Sequence, residues 1–217
     1  MGTINYNFIE EFIRQFIPQR DALLLEIERS AKEKGIPIVE PEVGQLIYLL
    51  ALIKKCKAIL EIGTAVGYST IILARGLEPG GRLITIEKDK EMANEAEKNF
   101  ERLGLSNVIL LKGDALEILK NMVSTGNYQF DFIFLDAAKG QYVQFLPLCY
   151  RLLNTGGLLV ADNVLYKGMV ANRDLLKRRK ITIVKRLKKY LNQVTSHPNL
   201  ETSILPIGDG VSISLKV

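Results

Sequence analysis

Two short runs hold the residue types best suited to chemistry in this chain. Asp136-Ala-Ala-Lys139-Gly-Gln-Tyr142 follows the apolar stretch Phe132–Leu135, and Asp162-Asn163 follows Leu158–Ala161. If both stretches are strands of one parallel sheet, three hard oxygen donors and a lysine reach the same rim. Two carboxylates and an amide carbonyl, without His or Cys, suit Mg2+ (or Mn2+) and disfavour Zn2+ or Cu2+. Asp136, Asp162 and Asn163 are therefore the expected metal ligands. Lys139 lies three residues past a ligand, so a bound cation would disfavour its charged form, and it is the expected catalytic base.

Upstream, Glu61-Ile-Gly63-Thr-Ala-Val-Gly67-Tyr-Ser69 puts a glycine turn between a first strand and its helix. The Gly-x-x-x-Gly spacing differs from the Gly-x-Gly-x-x-Gly that seats a dinucleotide pyrophosphate, which argues against a dehydrogenase. Glu87 ends the next strand, where a carboxylate can accept from two ribose hydroxyls at once. Gly113-Asp114-Ala115 ends the third, in the way expected for a carboxylate facing an adenine amino group. Three such features in successive strand-to-helix loops point to a nucleoside cofactor on the rim that carries the metal set.

The elements that must position these residues alternate between strand and helix. Strands are expected near 58–62, 82–87, 107–111, 131–135 and 157–161, and helices from Ser69, over 89–103, 115–123, 141–153 and 174–193. Two closing strands near 202–206 and 211–216 flank the turn Gly208-Asp-Gly210. Before the sheet, a helical pattern over Asn7–Lys34 breaks at Pro18, and Pro41 opens a further helix. The fold class expected is α/β, a doubly wound Rossmann-like sheet, mainly parallel with an antiparallel final strand. Residues 1–54 would form a helical cap or a dimer contact and 55–217 the sheet core of one domain.

At 217 residues and 47% hydrophobic content the chain can bury one sizeable core, and no linker or repeat divides it. Its apolar runs fall far short of the ~20 residues of a membrane span, and no signal-peptide pattern opens it, so a cytoplasmic protein with no membrane partner is expected. Cys56 and Cys149 have no metal-ligand spacing and read as reduced structural thiols. His197, the only histidine, reads as a loop residue. The net charge of +5 is unevenly placed. Between Tyr166 and Tyr190 ten Lys/Arg face one acid, leaving 19 basic and 23 acidic residues elsewhere. Val184, Leu187 and Leu191 recur at helical spacing, so the cations would line the outer face of an amphipathic helix. Such segregation favours a polyanionic partner over a merely solvated face.

Taken together and in this order, the glycine turn, Glu87, Gly113-Asp114-Ala115, Asp136-x-x-Lys139 and Asp162-Asn163 resemble the cation-dependent O-methyltransferases that use S-adenosylmethionine, the group of catechol and caffeoyl-CoA O-methyltransferases. The resemblance spans nearly the whole chain. It implies S-adenosylmethionine contacts at Val39, Glu61, Gly63, Ser69, Glu87, Asp114, Ala115 and Asp136. It also implies metal binding by Asp136, Asp162 and Asn163, with Lys139 as base. In catechol enzymes a Trp precedes the motif lysine. Here that position is Ala138 and the chain has no Trp, so a wider pocket is expected. A proline after the Asp-Asn pair is likewise replaced, by Lys167. The runs around Lys139, Asp162-Asn-Val-Leu-Tyr-Lys-Gly, Lys177–Lys180 and Pro206-Ile-Gly-Asp-Gly look most like bacterial tRNA 5-hydroxyuridine methyltransferases. That likeness implies a tRNA anticodon loop as substrate, with Lys167, Arg173, Arg178, Arg179 and Lys180 on its phosphates. The alternative is a small-molecule O-methyltransferase acting on catechols or caffeoyl-CoA-like vicinal diols.

Overall fold

A computed structural model describes residues 4–217. Apolar, β-branched runs make the five strands β1 (Ala58–Ile62), β2 (Arg82–Glu87), β3 (Val108–Lys112), β4 (Phe130–Leu135) and β5 (Leu153–Ala161). They pair in parallel in the order β3-β2-β1-β4-β5. The chain then adds β6 (Leu200–Leu205) at the edge and folds β7 (Val211–Lys216) back between β5 and β6. β7 is antiparallel to both neighbours, so it is the one reversed strand of seven. The mainly parallel sheet with an antiparallel final strand is thus as expected.

Helices cover both faces. On one side α6 (Ala115–Thr125), α7 (Tyr142–Leu152) and α8 (Ile181–Thr195) bury Leu119, Phe145, Leu187 and Tyr190 against the sheet. On the other, α2 (Ala22–Glu33), α3 (Pro41–Lys54), α4 (Tyr68–Arg75) and α5 (Lys90–Arg102) share one buried cluster with Ile59, Leu83, Phe132 and Phe134. The chain breaks near Pro18, between α1 (Asn7–Arg14) and α2, as the sequence pattern indicates. Arg14 of α1 donates to Glu42 and Glu40 at 2.8 Å each, which ties α1 to the start of α3. Asp21, Asp89 and Asp114 accept from first-turn amides and cap α2, α5 and α6.

One expected element is corrected. The helix expected over 174–193 starts only at Ile181, and residues 173–180 form two 3-10 turns, Arg173–Leu175 and Arg178–Lys180. From Ile181 onward the reading holds, with Val184, Leu187 and Leu191 buried.

The parallel register brings the carboxyl ends of β1, β2, β4 and β5 to one rim. The Gly63 amide donates to the Ile86 carbonyl and the Asp136 amide to the Ile62 carbonyl, both at 3.0 Å. This packing needs glycine. Gly63 has φ +102°, and a Cβ there would lie 2.1 Å from the Asp136 carbonyl oxygen. Gly63→Ala must therefore push the ends of β1 and β4 apart as well as accept a backbone conformation costing about 1–3 kcal/mol. The expected result is a lowered urea midpoint and loss of S-adenosylhomocysteine binding by calorimetry. Native values for both would contradict this account of the rim.

Candidate active site

One cavity of about 370 Å³ opens on this rim. Its wall is built by the glycine turn after β1, the ends of β2 and β3, the Asp136–Lys139 run, Asp162-Asn163 and the segment Pro37–Glu40 ahead of α3. Of the residues expected at the cofactor, Val39, Gly63, Ser69, Glu87, Asp114, Ala115 and Asp136 line it. Glu61 does not. Its side chain is fully buried beneath the floor, where Oε2 accepts from the hydroxyls of Thr70 and Thr85. Oε1 has no partner. Burial pushes the Glu61 carboxyl up to about 7, helped by the nearby charge of Asp136 and opposed by the Ser69, Thr70 and Thr85 hydroxyls.

Glu87 is held in place before any ligand arrives. Oε2 accepts from the Ala65 amide, and Oε1 from the amides of Lys88 and Asp89, each at 2.8 Å. Asp114 accepts from the Leu116 amide at 3.0 Å and pairs with Lys88 at 3.0 Å. That bond to Lys88 keeps its carboxyl below the ordinary range.

At the other end of the cavity stand Asp136, Lys139, Asp162, Asn163 and, from the β6–β7 turn, Asp209. Asp162 is only 2% exposed, and burial, then Asp136, drive its carboxyl well above the usual carboxylate range. Its Oδ1 accepts from the Asn163 amide at 2.6 Å. Lys139 Nζ lies 2.7 Å from Asp136 Oδ1. Burial alone would lower the Lys139 pKa, but Asp136, then Asp162 and Asp209, outweigh it, and the amine is held charged. This is opposite in sign to the shift expected beside a bound cation, because here the nearest neighbour of the amine is the carboxylate itself. Among the described residues no three His, Cys, Asp or Glu side chains gather into a metal cluster. The donor set is two carboxylates and an amide. It fits a hard divalent cation chemically, since the buried Asp162 and the half-buried Asp136 otherwise repel one another and Lys139 bonds to Asp136 alone of the two.

The phosphate-binding candidates lie outside the cavity wall. Lys167, Arg173, Arg178 and Arg179 are exposed, and Lys180 lies half-buried with Nζ 5.7 Å from the centre of the Tyr166 ring. Among the described residues, none of the ten cations between Tyr166 and Tyr190 has a carboxylate within 4.0 Å. Arg186 donates to the Gly140 carbonyl at 3.1 Å and so sets α8 against the Lys139 turn. His197 packs on the Tyr150 ring, away from the cavity. Both cysteines are buried and free, and burial pushes their thiols up to about 12. Sequence reasoning missed Pro37, Ile38 and Glu40, which share no pattern with the rim loops, and also Tyr68, Gln141, Phe145 and Asp209. Tyr68 sits inside the quoted glycine run, directly before Ser69, and could have been read from it.

A doubly wound sheet with a nucleoside-sized cavity at its topological switch point, walled by Glu87 and Asp114, defines a nucleoside-cofactor enzyme of the methyltransferase class. Residues 19–217 match the family model described as O-methyltransferase. Catechol O-methyltransferase from Niastella koreensis is 39% identical over 80% of this chain and 80% of its own length. Caffeoyl-CoA O-methyltransferase 2 from Petunia hybrida is 31% identical over 84% and 78%. The O-methyltransferase from Bacillus cereus in complex with SAH has the same fold, with TM-score 0.86 at 29% identity over 97% of each chain. TomG from Streptomyces achromogenes, in complex with SAM, gives TM-score 0.86 at 28% identity over 100% and 99%. The chain belongs to the O-methyltransferase family and is an S-adenosylmethionine-dependent O-methyltransferase.

The buried Glu61 gives a pH test. Its folded pKa of about 7 exceeds the ordinary 4.5, so between those values the folded chain keeps a proton the unfolded chain has lost. Its contribution therefore favours folding at low pH, falls as pH rises through that window and is level above it. Glu61→Gln removes the titration. The native protein should lose roughly 3 kcal/mol relative to the variant between pH 4.5 and 7.5, measured by urea unfolding. Parallel curves would mean the carboxyl is ionised in the fold.

Proposed function

We propose that the methyl group goes to one of two adjacent oxygens of the acceptor, with Asp136, Asp162 and Asn163 holding a divalent cation that would take Asp136 from Lys139 and favour the neutral amine, so that Lys139 then accepts the proton. The observation that carries this reading is the Asp162 carboxyl, 2% exposed and pushed up by burial and by Asp136, while Lys139 bonds to Asp136. A divalent cation on these ligands supplies the charge that fixes an acceptor oxygen and lowers its pKa. Glu87 and Asp114 hold the nucleoside of the methyl donor, and Val39, Ser69 and the Gly63 turn hold its amino-acid end. Lys139 stands on the wall between cofactor and acceptor ends, within reach of a hydroxyl bound there. Positioning of donor and acceptor carries much of the rate, since charges on the sulfonium and the oxygen partly cancel during transfer.

For the acceptor, we infer 5-hydroxyuridine at the wobble position of a tRNA anticodon loop, giving 5-methoxyuridine. Its 5-hydroxyl and 4-carbonyl are adjacent oxygens, as in a catechol, and an unpaired loop base can be splayed into a cavity. Support comes from the ten cations between Tyr166 and Tyr190, none of which has a carboxylate within 4.0 Å among the described residues, and from Arg186, whose bond to the Gly140 carbonyl sets α8 against the Lys139 turn. A second reading, a catechol or a CoA ester of a phenolic acid, is favoured by the similarity to a catechol O-methyltransferase and a caffeoyl-CoA O-methyltransferase. A homodimer through the N-terminal helices is part of the proposal, as Phe8 and Phe12 on α1 and Phe16 just after it leave exposed rings.

Purified protein given tRNA carrying 5-hydroxyuridine and, separately, caffeoyl-CoA should methylate the tRNA far faster, as read by nucleoside mass spectrometry. Turnover of caffeoyl-CoA alone would establish the second reading. Replacing Arg178, Arg179 and Lys180 together by Gln should raise the KM for tRNA and flatten its log–log salt dependence by roughly two units, at about 0.7 per contact to single-stranded phosphate. An unchanged salt slope would reduce these residues to a solvated surface.

A further inference from the structure

The turn Gly208-Asp209-Gly210 joins β6 to β7, yet its bonds go to the loop after β5, which begins with the proposed metal ligands. The Val164 amide donates to the Gly210 carbonyl at 2.9 Å and the Leu165 amide to the Asp209 carbonyl at 3.1 Å. The Lys167 amide donates to the Asp209 side chain, Oδ1. Those bonds fix a loop that local preference opposes, since Asn163, Tyr166 and Lys167 all have positive φ, at 56°, 46° and 57°. Such backbone conformations persist only where the surroundings hold them, and the turn supplies that hold from outside the loop. The turn also packs the other way. A Cβ on Gly208 would lie 2.7 Å from Val43 Cγ2, and one on Gly210 2.4 Å from Leu165 Cγ. The turn is therefore wedged between the loop of the acceptor end and the start of α3, next to the cofactor-wall residues Val39 and Glu40.

We propose that Asp209 is a positioning residue: through its bond to the Lys167 amide it latches the Asn163–Lys167 loop in the conformation that presents Asn163 and the acceptor wall, without itself binding S-adenosylmethionine. The latch is a hydrogen bond, so an amide oxygen at this position can replace the carboxylate. The part of this inference that concerns the acceptor rests on the reading of Asp162 and Asn163 given above.

Three proteins test it: native, Asp209→Ala and Asp209→Asn. Lys167 is exposed and precedes Gly168, so limited trypsin cleavage after Lys167 reports how often the loop opens. In Asp209→Ala that cleavage should speed up about tenfold, the scale for losing a hydrogen bond to a charged group. S-adenosylhomocysteine affinity by calorimetry should stay native. The KM for the acceptor that the native protein uses should rise by about the same factor, and Asp209→Asn should restore both cleavage and KM most of the way. Native cleavage and KM in Asp209→Ala would overturn the latch, as would a faster cut with an unchanged KM. Loss of a cooperative melt or of S-adenosylhomocysteine binding would make the residue a fold determinant and overturn it as well. If the native protein methylates neither tRNA nor caffeoyl-CoA, the proposed acceptor fails while the trypsin comparison still decides the latch.

Discussion

Asp136, Asp162 and Asp209 crowd one end of the cavity, with Glu61 beneath its floor and Lys139 paired to Asp136, and the organisation of this end follows from that excess of acid. Two of them, Glu61 and Asp162, are almost wholly out of water, so their charge cannot be dispersed by solvent. The fold answers locally in different ways. Glu61 is met by hydroxyl groups under the floor, Asp209 by a backbone amide, and Asp136 by Lys139. Asp162, flanked by Asp136 and given only one short amide bond, is left with the least compensation. That excess of acid at the ends of β4 and β5 is the reason a hard cation is proposed there.

The two halves of the cavity differ in how they are prepared. On the cofactor side Glu87 is fixed by three amides and Asp114 caps its helix, so the groups that would meet ribose and adenine need little ordering on binding. On the acceptor side the loop from Asn163 to Lys167 is held in an unfavourable backbone conformation by a turn from a distant part of the chain. The cofactor side is thus ordered by strand ends and their caps, and the Asn163–Lys167 loop by a contact from the β6–β7 turn.

Much of this was legible in the sequence, for physical reasons that differ from residue to residue. Strand–helix alternation gave the parallel sheet, and acids directly after apolar runs, Glu87, Asp136 and Asp162, had to fall on one rim because parallel strands all end on the same side. Long-range placement was not legible. Nothing local indicates that β7 inserts between β5 and β6, so the seat of Asp209 beside Asp162 was hidden. Pro37–Glu40 forms a wall although it carries no motif. Glu61 reads like its neighbours in the glycine run, but strand alternation turns it beneath the cavity, among Thr70 and Thr85. The basic segment was visible as charge, while the start of α8 was not, since Arg178–Lys180 form a 3-10 turn ahead of the helix that spacing suggested.

The central claim is that Asp136, Asp162 and Asn163 bind one divalent cation at the acceptor end, independently of the S-adenosylmethionine site. Titration of Mn2+ into the native protein and into the Asp162→Ala, Asn163→Ala double variant, followed by electron paramagnetic resonance of free Mn2+, tests it directly. The account predicts one saturable site per chain in the native protein and its loss in the double variant, with S-adenosylhomocysteine binding kept in both. No saturable Mn2+ binding, or the same binding in the double variant, would contradict it.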